Sequence, residues 1–102
     1  MQRLNFIIPI YNVKVKVRVG NIEKIIEKYD ANIEAPCAAF QQSYEGFELI
    51  ALPKDYDSYL SHECGHTACA VVRHLGMKVS SKTEEFIFYL QDYLIQYIKE
   101  NL

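Results

Sequence analysis

Between residues 13 and 19 the chain alternates without a break: Val13, Val15, Val17 and Val19 are separated by Lys14, Lys16 and Arg18. Successive side chains of a strand point to opposite faces, so this period of two predicts a valine core face and a cationic solvent face. Residues 4–11 are also apolar and β-branched, but Pro9 cannot donate to a ladder. They predict an edge segment, or a strand ending near Ile8. Gly20-Asn21 breaks the pattern. Asn21 is a good N-cap, with Glu23 in the first turn where the helix dipole favours it. Ile22, Ile25, Ile26 and Tyr29 then recur at helical spacing and predict a short helix over residues 22–29, packed on the sheet. Residues 30–36 read as a loop, with Pro36 as a stop. Two short runs, 37–41 and 47–52, flank turn chemistry at Ser43 to Gly46 and predict a hairpin, its second strand either an ordinary core strand or one to whose edge an extended peptide adds.

Beyond residue 54 the period becomes helical. A helix is expected to start near Asp55 or Asp57 and to run to about Leu75, where Gly76 is a natural stop. Leu60, Cys64, Ala68, Val71 and Leu75, with Val72 at the margin, form its core face. His62, His66, Cys69 and Arg73 form a second stripe on roughly the opposite side. Ser80 or Ser81 is expected to cap a last helix with Glu84 in its first turn. Phe86, Ile87, Leu90, Leu94, Tyr97 and Ile98 give that helix an apolar face, while Glu85, Tyr89, Asp92 and Gln96 make a polar stripe, which a site between the two helices would explain. The prediction is a single α+β domain over residues 1–102, with a small, twisted, mainly antiparallel sheet, a short helix, a helix carrying the two histidines and a C-terminal helix.

Half of the 102 residues are hydrophobic, enough for one modest core. A formal charge of −2 leaves no basic footprint, so nucleic acid is not an expected partner. The apolar runs are far short of a membrane span and no basic-apolar-small leader opens the chain, so no membrane association is expected. Three cysteines without CxxC spacing argue against a disulfide scaffold. They point to a reducing compartment, the cytoplasm.

The chemistry is concentrated in His62-Glu63-Cys64-Gly65-His66. On a helix, residues four apart stack on one face, so His62 and His66 offer two imidazole nitrogens to one ion. Glu63 lies about 100° further round than His62, beside that ion, where a carboxylate takes a proton from water. Two neutral nitrogen ligands with an adjacent base are what a hydrolytic zinc site requires. The competing reading is a surface helix with two solvated histidines. Histidine is scarce here, 3 in 102 residues, which makes a chance match uncommon. Catalytic zinc usually takes a third protein ligand. His74 is too far round and along the helix, Cys69 would reach only with strain, and Glu84 and Glu85 on the last helix remain.

The HECGH motif, followed eighteen residues later by Glu85, resembles the His-Glu-x-x-His-x18-Glu arrangement of gluzincin metallopeptidases. More closely, the chain resembles small phage- and prophage-encoded zincin-like proteins in Ile8-Pro9-Ile10-Tyr11, Ile50-Ala51-Leu52-Pro53, Leu60 to His66, and Glu85 with Tyr89-Leu90. The resemblance implies a minimal zincin fold, Zn2+ held by His62, His66 and Glu85, and Glu63 as general base in amide hydrolysis of a protein or peptide substrate. It implies a phage- or prophage-related role in the cytoplasm of a bacterial host cell. Thermolysin-like enzymes carry an acidic residue four positions after the ligand Glu; here that position is Tyr89, and Asp92 is the alternative outer partner. Tyr89, Tyr93 and Arg73 are the candidate oxyanion donors, Tyr89 foremost. A rival function is a catalytically weak or inactive zincin-fold protein that binds and inhibits a host or defence protein. Monomer and homodimer are both compatible with the sequence.

Overall fold

A computed structural model describes residues 1–34 and 36–102; Ala35, within the loop expected over residues 30–36, lies outside the described residues. The chain forms β1 (Gln2–Ile8), β2 (Val13–Val19), α1 (Ile22–Tyr29), β3 (Phe40–Tyr44), β4 (Phe47–Leu52), α2 (Asp57–His74) and α3 (Glu84–Asn101). This is the expected α+β class. The four strands make one mixed sheet in the order β1-β2-β4-β3. β1 pairs antiparallel with β2, and β3 antiparallel with β4; the central β2–β4 pairing is parallel, with Val17 opposite Ile50 and Val19 opposite Leu52.

The alternation in β2 sorts the two layers. Val13, Val15, Val17 and Val19 face α2 and α3 and are buried with Ile50, Leu52, Leu60, Ala68, Val71, Leu94 and Ile98. Burial of each such side chain contributes about 1.5–3 kcal/mol, which is what fixes the two long helices to this face. The opposite face is covered by α1, where Ile25 packs on Phe40, Leu49 and Ala51. That layer changes the fate of one β2 cation. Arg18 was expected in water; it is 5% exposed, beneath α1. Its guanidinium donates to Asn5 Oδ1 at 2.8 Å, to Tyr29 Oη at 2.7 Å and to the Val17 carbonyl at 2.9 Å. Arg18→Ala is expected to cost about 2–3 kcal/mol in urea unfolding, because it removes the packed aliphatic stem and leaves the groups around the guanidinium without their donor. Lys14→Ala, on an exposed side chain of the same strand, is the control, expected within about 0.5 kcal/mol of wild type.

Local signals set the element ends, with some displacement. Asn21 caps α1 as expected, its side chain accepting from the Lys24 N–H at 3.0 Å. α2 ends in a Schellman turn: the Gly76 N–H donates to the Arg73 carbonyl and the Met77 N–H to the Val72 carbonyl, with Gly76 at φ +81°. Leu75, expected in the core face, is at this helix end and exposed. α3 begins after Thr83 rather than at a Ser80 or Ser81 cap, because Ser80 and Thr83 close a turn of their own. β3 starts at Phe40, so Cys37 to Ala39 are not strand. β4 is an interior strand with both edges paired, so of the two readings the core strand holds and the peptide-adding edge does not; the outer strands of the sheet are β1 and β3. Among the described residues, no helix is long and apolar enough to cross a membrane.

Candidate metal centre

α2 carries the histidines on the side turned away from its core face, and both rings are exposed, as the rotation of the motif predicts. Their Nε2 atoms are 3.0 Å apart, with ring centroids at 4.6 Å and planes inclined by 77°. One ring donates and the other accepts. The helix has thus aimed at a single point the two atoms that a metal would take. Zn–N bonds are about 2.0–2.1 Å, so two such arms close comfortably on nitrogens this near to each other. Glu63 completes a possible His-Glu-His metal-binding triad: one ligand atom from each of His62, Glu63 and His66 lies within 4.8 Å of the others. Two imidazoles with a carboxylate beside them, as ligand or as base, fit zinc as one of several divalent ions.

The three side chains differ in environment. Glu63 is 5% exposed. Burial raises its carboxyl above the ordinary value, and the neighbouring His62 and His66 pull in the other direction. A carboxylate shifted this way is a better proton acceptor than a solvated one. One turn on, Thr67 donates its hydroxyl to the Glu63 carbonyl at 2.9 Å, within the buried side of α2. Cys64 lies in the core, and burial, followed by the Glu63 charge, pushes its thiol up to about 12. It stays protonated, as a thiol packed in the core does.

Gly65, between Cys64 and His66, faces the Gln91 side chain of α3. A Cβ at this position would sit 3.0 Å from Gln91 Nε2. That same amide nitrogen donates to the Ser61 carbonyl at 2.9 Å. Glycine inside a helix costs roughly 0.5–1 kcal/mol relative to alanine, and this close approach is the compensation visible here.

The residues expected from α3 are elsewhere. Glu85 is exposed in the first turn of α3 and is not part of the His62–Glu63–His66 cluster. The whole stripe of Glu85, Tyr89, Asp92 and Gln96 is exposed. It is a solvated face and not a lining between helices. Tyr89 and Tyr93 line an apolar groove with Ile8, Pro9, Ile10, Tyr11, Phe86 and Leu90, and no triad residue borders it. Arg73 lines a cleft with Ser43, Tyr44, Glu48, Ala70 and His74 at the other end of α2. Two partnered polar residues escaped the sequence reading, Gln91 beside the histidine turn and Glu48 away from it. Gln91 lies seven residues after Glu84, on a stripe that the polar-versus-apolar sorting passed over. Glu48 sits in a run read as wholly apolar; it is buried, accepts from Gln41 Nε2 at 2.7 Å and from the Ser43 hydroxyl, and burial raises its carboxyl.

No family model, curated protein or solved structure matches this chain.

Proposed function

We propose that the protein is a zinc-dependent peptidase whose ion is held by His62 and His66 and whose general base is Glu63. One observation carries this reading: two exposed imidazoles bring their Nε2 atoms to 3.0 Å while a buried carboxylate shares their cluster. A pair of solvated histidines needs no buried acid beside it. When bound, zinc would supply Lewis acidity toward the scissile carbonyl and toward water. Glu63, 5% exposed and beside the two rings, accepts the proton of the attacking water and returns it to the departing amine. On taking the ion, His62 and His66 would exchange the hydrogen bond between their Nε2 atoms for bonds to it, each ring carrying its proton on Nδ1. The resemblance to small zincin-like proteins extends the proposal to a minimal zincin fold, a protein or peptide substrate and a phage or prophage role in the bacterial cytoplasm.

A second reading has its own support. With Glu85 outside the cluster and Tyr89 in a different groove, the chain offers fewer transition-state groups than a full gluzincin site. A weakly active or inactive relative that acts by binding a host or defence protein fits that shortage. Protein purified without added metal distinguishes the two. About one zinc per chain by elemental analysis, with cleavage of an unfolded protein substrate that a chelator stops and zinc restores, is the expected result. A metal-free chain with no hydrolysis ends the peptidase proposal.

A further inference from the structure

The contact between Gln91 and the peptide groups beside each histidine has a use. We infer that Gln91 is a positioning residue for the histidine pair, acting from α3 through the backbone of α2. Its Nε2 donates to the carbonyl of Ser61, the residue before His62, and abuts Gly65, the residue before His66. One side chain therefore holds the peptide link before His62 by a hydrogen bond and fills the space that a Cβ would take beside His66. The absence of a Cβ at Gly65 lets the amide come this near: the space a methyl would take lies 3.0 Å from the same nitrogen. Leucine keeps the size of glutamine and removes the donor. Alanine at position 65 keeps the donor and pushes it away. Both changes loosen one contact by different routes. Neither residue touches the ion, so the effect appears as lost preorganisation of the two nitrogens.

The inference rests on the pair's proposed use as ligands, and the test separates the two. Zinc affinity is measured by competition with a chromophoric chelator for wild type, Gln91→Leu, Gly65→Ala and the double variant. Thermal unfolding of the metal-free proteins is followed alongside, as are nuclear Overhauser contacts between the rings of His62 and His66 in the metal-free state. The expected result is zinc binding weakened about 10-fold in each single variant, the low end of the range for groups that orient ligands. The double variant should fall well short of the product of the two losses, since both act on one contact. Gly65→Ala should unfold at the same or a higher temperature despite its weaker zinc binding, because alanine is the better helix former. A merely structural contact would move the unfolding temperatures and leave zinc affinity within about twofold; that result overturns the inference. If wild type takes up no zinc, the ligand reading fails, and the ring-to-ring contact decides the inference by itself: its loss in Gln91→Leu upholds the positioning role, and its persistence overturns it.

Discussion

Glu63→Gln is expected to lower kcat for amide hydrolysis by about 10²–10⁴-fold while leaving zinc content and fold intact. The amide keeps the shape of the carboxylate and cannot accept the proton of water. His62 and His66, which hold the ion in the proposed site, are untouched. Because burial raises the Glu63 carboxyl above its ordinary value, Glu63 in the metal-free protein should titrate above the usual glutamate range when followed by NMR, and a bound dication beside it should draw that titration downward. The same shift has a consequence for stability, opposite in sign to that of a salt-bridged acid. Between the ordinary and the raised value the native state holds the proton that the unfolded state releases. Metal-free protein therefore loses stability as pH rises through that window, and does not regain it above. Glutamine removes this penalty. Metal-free Glu63→Gln should be at least as stable as wild type at neutral pH, by thermal unfolding. Full activity in the variant would remove Glu63 from the mechanism, and loss of zinc together with activity would make it a ligand.

What the sequence made legible was local. The β2 alternation, the Asn21 cap, the Gly76 helix stop and the outward stripe of His62 and His66 each depend on a few neighbouring residues, and each is present in the structure. What it hid depends on what lies opposite. Arg18 follows the strand period faithfully, yet a period assigns a face without saying whether a helix covers it; α1 does. The interior place of β4 comes from a parallel pairing with β2 across α1 and β3, a contact distant in sequence. The polar stripe of α3 was placed on the wrong side of that helix for a third reason. The helical wheel correctly grouped Glu85, Tyr89, Asp92 and Gln96, but the roll of α3 against α2 is set by how the apolar faces seat. That roll brings Gln91 to Gly65 and sends the polar stripe to solvent.

That roll bears directly on the ligand set, and substitution resolves it. His66→Ala should weaken zinc binding by more than about 100-fold, since loss of a direct ligand exceeds the 10–100-fold typical of an outer-shell partner. His62→Ala should match it, because the two nitrogens contribute symmetrically to one point. Glu85→Ala tests the third ligand that the resemblance implies. In the structure its carboxylate stands in solvent outside the cluster, so zinc affinity is expected to stay within about threefold of wild type, as for other groups beyond ligand reach. Titration of each variant against a chelator of known affinity provides the comparison. A loss in Glu85→Ala as large as that in His66→Ala would mean that the ion draws the first turn of α3 toward α2. The hydrogen bond from Gln91 to Ser61, about two turns further along α3, would then be the pivot of that movement. A silent Glu85→Ala beside two crippling histidine variants would instead define an ion gripped by one helix alone, its remaining positions open to water and substrate.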